Sequence, residues 1–164
     1  MSIGLSFRLS SVALPLVVAC AGDVPPATPS TPPPHAAPRE QWSRLAEVEG
    51  FPAANDKAFA TRGHLVKPSH AIVRVNPDAL ASYLALVTDT VFPEDTLIAM
   101  FHQSQDGSER GPVYAMEKKA GTWTFLALDP DGNKRSDNLE VCALCHKGAV
   151  ADRVFGLPRS LAGK

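Results

Sequence analysis

Hydrophobic and polar positions alternate over 70–75 (HAIVRV), and a similar period recurs in 96–103 (TLIAMFHQ), 112–117 (PVYAME) and 122–128 (TWTFLAL). Alternation of this kind sends successive side chains to opposite faces of a strand. The separators 104–111 (SQDGSERG), 118–121 (KKAG) and 129–133 (DPDGN) are rich in turn-forming residues. Strands joined by such short connections pair antiparallel. A helical period over 40–49 puts Trp42, Leu45 and Val48 on one face. A second helix is expected from Asn76 as cap and Pro77 in the first position. It should run to about Val87 and bury Leu80, Tyr83, Leu84 and Val87. A third starts near Asp137, with Glu140 completing a capping box. Residues 51–70 read as irregular. The expected class is α+β: a mainly antiparallel meander sheet with a few helices, the last near the C-terminus.

Two stretches lie outside this pattern. Residues 1–19 combine Arg8, the only charge in the first 22 positions, with an apolar run from Leu9 to Ala19. That run is shorter than the ~20 residues of a membrane span and reads as an export signal. Val17-Val18-Ala19-Cys20 resembles a bacterial lipobox, in which cleavage precedes a cysteine that takes the lipid; a plain signal peptide with a stray cysteine is the alternative. The expected location is the cell envelope, anchored through Cys20 and facing the periplasm. Ala21 after the cysteine favours the outer membrane. Residues 20–38 hold seven of the fifteen prolines and read as an extended tether. The folded domain is then 39–164. Sixteen basic residues stand against seventeen acidic ones, with no basic stripe, which disfavours a nucleic-acid partner.

The chain has three cysteines, an odd number for an exported protein. With Cys20 assigned to the lipid, Cys142 and Cys145 remain, in the motif Cys142-Ala143-Leu144-Cys145-His146. On a helix, cysteines three residues apart share a face, and a histidine four residues after the first joins them. This is the C-x-x-C-H of covalent haem attachment: Cys142 and Cys145 for the thioethers, His146 for the iron on its proximal side. The expected cofactor is one haem c with its iron. A redox dithiol would want a βαβ setting, structural zinc two further ligands at motif spacing, and a disulfide across one helical turn would be strained.

Only eighteen residues follow His146 and none is methionine, so the distal side must come from upstream. The segments HAIVRVNPDALASY, FPEDTLIAM, AGTWTFLAL and CALCHKGAVADRVF, in this order, resemble the cytochrome P-460 family over roughly His64 to Phe155. The resemblance implies a mainly antiparallel β fold, a homodimer, a proximal histidine and an open or weakly ligated distal face. Members that oxidise hydroxylamine carry a lysine cross-linked to the haem; Met100 matches that position here, and Gly148 stands about where the family places a glutamate after the motif. By resemblance the chain looks closer to the cytochromes c-prime-beta, whose apolar pocket binds small gases. Candidate distal residues are Met100, Phe101, His102 and Phe92, each with an ordinary alternative as core. His64 and His70 are candidates for a propionate or the iron, or else surface histidines; Arg74 and Arg153 are candidates for the propionates. Asp152 and Phe155 should fix the exit from the haem helix. The leading expectation is five-coordinate iron binding a small diatomic such as nitric oxide. The alternatives are an oxidoreductase acting on nitrogen oxides, hydroxylamine or peroxide, and a six-coordinate electron-transfer cytochrome with a redox partner.

Overall fold

The computed structural model describes residues 39–158 other than 62, 63, 66 and 150. The signal at 1–19, Cys20 and the tether lie outside the described residues. The architecture is α+β. Five strands, β1 (Phe59–Thr61), β2 (Ser69–Val75), β3 (Leu97–Gln103), β4 (Arg110–Lys119) and β5 (Thr122–Leu128), form one sheet in chain order. Every neighbouring pair is antiparallel. Among the described residues three helices accompany it: α1 (Leu45–Glu49), α2 (Pro77–Leu84) and α3 (Glu140–His146). Among the described residues no helix is long and apolar enough to cross a membrane.

Each face of the sheet carries its own core. On one, Val73, Val75, Ile98, Met116 and Trp123 pack against Ala79 and Tyr83 of α2, with Phe92 and Val154. On the other, Leu97, Ala99, Val113, Ala115 and Leu128 pack against Val48, with Trp42, Leu45 and Phe51 at the margin. The period-two pattern thus separates two apolar sets, as a sheet covered on both sides requires.

Several boundaries differ from the sequence reading. The first helix is a single turn, because Gln41 is engaged in a bridge to Asn133 and Trp42 N–H bonds to Gly132 O. Residues 59–61, expected to be irregular, form the edge strand β1. Helix α2 ends at Leu84, and Leu84 and Val87 are exposed rather than buried. Asn76 does not cap α2 with its side chain: Oδ1 accepts from Leu97 N–H at 2.9 Å and ties the helix start to β3. The capping box at α3 does not form either. Asn138 Oδ1 accepts from Glu140 N–H, while Asp137 pairs with Arg135. Lys118, expected in a turn, is a buried strand residue.

The β3–β4 ladder is interrupted once. Phe101 pairs with Val113 and Gln103 with Arg110, so His102 faces both Gly111 and Pro112. Pro112 has no N–H for the ladder and suits a bulge. A Cβ on Gly111 would come within 3.0 Å of His102 Cβ, so glycine permits the close approach there.

Candidate haem site

Helix α3 carries Cys142, Cys145 and His146, yet none of its residues is buried. Both thiols are free; Cys142 is half-buried and Cys145 exposed. Burial holds the Cys142 thiol above its ordinary pKa. The His146 ring lies 5.0 Å from that of Phe125 and 5.1 Å from that of Phe155, centre to centre. Its Nδ1 is 2.7 Å from the carbonyl oxygen of Arg153. A carbonyl only accepts, so Nδ1 carries the proton and Nε2 keeps its lone pair. Burial lowers the pKa of this ring, with the bond to Arg153 opposing.

The Arg153 carbonyl is set by a strained turn. Asp152 and Arg153 have φ of 44° and 62°, and Val154 N–H bonds back to Ala151 O at 2.8 Å. Non-glycine residues rarely adopt this conformation. Asp152 is fixed on three sides: Oδ2 accepts from Phe92 N–H at 2.9 Å and from Lys118 Nζ at 2.7 Å, and Oδ1 from Trp123 Nε1 at 3.1 Å. Lys118 also donates to Phe92 O at 2.7 Å. Burial alone would raise the Asp152 pKa; the donors from Lys118, Phe92 and Trp123 outweigh it and hold the carboxyl low.

His146 and Cys142 open onto a narrow cleft of about 80 Å³ over the sheet. Val73, Ile98, Met100, Met116 and Phe125 give it an apolar wall. Two polar rings enter it from elsewhere. Tyr114 on β4 donates its hydroxyl to His64 O at 3.3 Å and lies 5.0 Å from the His64 ring. His64, in the β1–β2 connection, lies 6.4 Å from the His146 ring with the two planes 3° from parallel. Among the described residues its Nδ1 is buried without a partner. Burial, then the neighbouring His146, lowers its pKa. His102 stands behind, edge-on to His64 at 5.6 Å, with Nδ1 3.1 Å from Pro112 O and Nε2 buried without a partner. Burial, with His64 adding to it, pulls the His102 pKa down to about 4.

Of the four distal candidates, Met100 lines the cleft and His102 backs it. Phe101 lies on the opposite face, with Arg74 over its ring at 6.0 Å. Phe92 is buried against Trp123 and is not part of the cleft wall. His70 alternates to the face opposite Val73; Arg74 donates to Phe51 O, and Arg153 is exposed. Sequence reasoning missed Tyr114 and Lys118, and left His64 undecided between the haem and the surface. Of the rival chemistries, the antiparallel sheet supplies no βαβ unit. Among the described residues, no three His, Cys, Asp or Glu side chains converge to hold a metal ion. No protein-family model matches this chain, and no curated protein matches it.

Proposed function

We propose that this is a c-type haem protein of the cytochrome P-460 kind, holding one haem through Cys142 and Cys145 with His146 on the iron, and binding a small neutral ligand such as nitric oxide there. The observation that carries the reading is the state of His146. Its Nδ1 proton is committed to a backbone carbonyl held by a braced turn, and its ring opens onto an apolar cleft. A histidine that ligates a metal is ordinarily oriented through its other ring nitrogen in this way. Two free thiols on the same helix, three residues apart, are the donors that thioether attachment needs.

The haem would supply an iron centre able to bind diatomics or pass an electron. The chain's own residues do the rest. Arg153 O orients the proximal ring. Val73, Ile98, Met100 and Phe125 exclude water and disfavour anions, since an unpaired charge is costly in apolar surroundings. Met100 stands where the hydroxylamine-oxidising relatives have their lysine, so the reading does not extend to a cross-linked haem.

The test is expression of the full chain with haem-attachment machinery, followed by acid–acetone extraction. Haem should stay with the polypeptide pellet in the wild type and leave it in the Cys142→Ala, Cys145→Ala double variant. Haem retained by the double variant would refute covalent attachment at these residues. His146→Ala should keep the haem but change its optical spectrum; an unchanged spectrum would remove His146 from the iron.

A further inference from the structure

We infer that His64 is the second axial ligand of the iron, so that the resting protein is six-coordinate and a gas binds only by displacing it. The inference rests on the haem reading above and deepens it. A metal–imidazole bond is about 2.0–2.1 Å and the ligating nitrogen lies about 1.1 Å from its ring centre, so two imidazoles on opposite sides of one metal hold their centres roughly 6.3 Å apart. The His64 and His146 ring centres are 6.4 Å apart. Their planes are 3° from parallel, and direct stacking contact between two such rings would need a closer approach.

Three further features fit. Among the described residues Nδ1 of His64 is buried without a hydrogen-bond partner, a cost that a structure retains only for a reason. Tyr114 fixes the His64 backbone from β4 and lies against its ring, so the imidazole is positioned by the sheet. His102 offers a bare Nε2 beside it, because its own Nδ1 is taken by Pro112. One nitrogen of His64 can thus be oriented by an acceptor while the other meets the iron, the outer-shell arrangement of metal-bound histidines. Met100 lines the same cleft as a thioether but has no feature that aims it at the His146 ring. The open distal face implied by the family resemblance is, on this reading, occupied by the chain itself.

Ferric optical and electron paramagnetic resonance spectra of the haem-loaded full chain test this in the wild type, His64→Gly, Met100→Leu and His102→Phe. The wild type should be low-spin and Met100→Leu should remain so. His64→Gly should become high-spin, return to low-spin on adding imidazole, and bind carbon monoxide in the ferrous state about tenfold more tightly or better, since the competing ligand is gone. His102→Phe should weaken the low-spin signal without abolishing it. Imidazole rescue separates loss of a ligand from loss of the fold. A wild type that is high-spin while its haem is covalently retained would overturn the inference and leave the parent reading intact. So would a low-spin signal that survives His64→Gly. Haem extracted freely from the wild type would overturn the parent reading, and this one with it.

Discussion

At the scale of the residue, the side chain with most leverage on the site is one that touches neither cysteine nor His146. Lys118 is 5% exposed and joins Asp152, Phe92 and the strand β4. It anchors a turn in which two consecutive residues sit at positive φ, each costing roughly 1–2 kcal/mol in an L-amino acid. Lys118→Met should lower stability to urea by about 2–4 kcal/mol, because Asp152 is left partly buried and without its cation. Equilibrium unfolding of the variant checks this. The depressed Asp152 carboxyl contributes stability that is present above the unfolded value of about 3.9 and is lost as pH falls through the folded value. The stability gap between the wild type and Asp152→Asn should therefore narrow as the pH drops below about 4. The same urea experiment repeated across pH measures it, and a gap that widens in acid would contradict the assignment. None of this was legible in the sequence. Lys118 stands beside Lys119, Ala120 and Gly121 in a run that reads as a polar turn. Only the register of β4 against β5, with Lys118 opposite Trp123, shows that it points inward.

At the scale of the element, the strands that could be read were those with a long alternating period. β5 was bounded correctly, and β2 and β3 to within one residue. β1 has three residues, too few to show any period, and exists because β2 offers it an edge. The C-terminal end of α2 was misjudged because Leu84 and Val87 continue the apolar period while nothing covers them. The cap at Asn76 was misjudged because a competing backbone donor, Leu97 N–H, takes its side chain. Helix α3 was legible because Cys142, Cys145 and His146 are contiguous in sequence. His64 was legible only as one candidate among several histidines, and its pairing with Tyr114 was not, because 50 positions separate the two and only the sheet unites them. The β4–β5 hairpin turns through Ala120 and Gly121, with φ of 48° and 72°. Both centres of such a tight turn demand the left-handed region, where alanine is a poor choice and asparagine a good one. Ala120→Asn should stabilise the fold by about 0.5–1 kcal/mol, read as a higher midpoint in urea.

At the scale of the whole molecule, the cleft bears on solubility and stability as well as on ligand binding. Its wall is apolar, which a bound haem would cover on the proposed reading, and Val141, Leu144 and Phe155 add exposed apolar surface around the same helix. Chain produced without haem-attachment machinery should bind a hydrophobic fluorescent dye more strongly and melt lower than the haem-loaded form. Equal dye binding by the two forms would mean that the cleft is not where the haem sits.

The sheet's neighbours in space are its neighbours in sequence, and this governs the order of events during biogenesis. The β3–β4 and β4–β5 connections are short and the longer one between β2 and β3 is partly taken up by α2, so the sheet closes through near neighbours in sequence and its assembly need not wait for the last residues. Helix α3, with its two thiols, follows all five strands and contributes no buried residue. A chain emerging N-terminus first can complete its scaffold while the two thiols stay reachable by a modifying enzyme. If haem is attached there as proposed, attachment is the final step of folding, and a defect in maturation should yield a structured sheet with a loose C-terminal end instead of an unfolded chain.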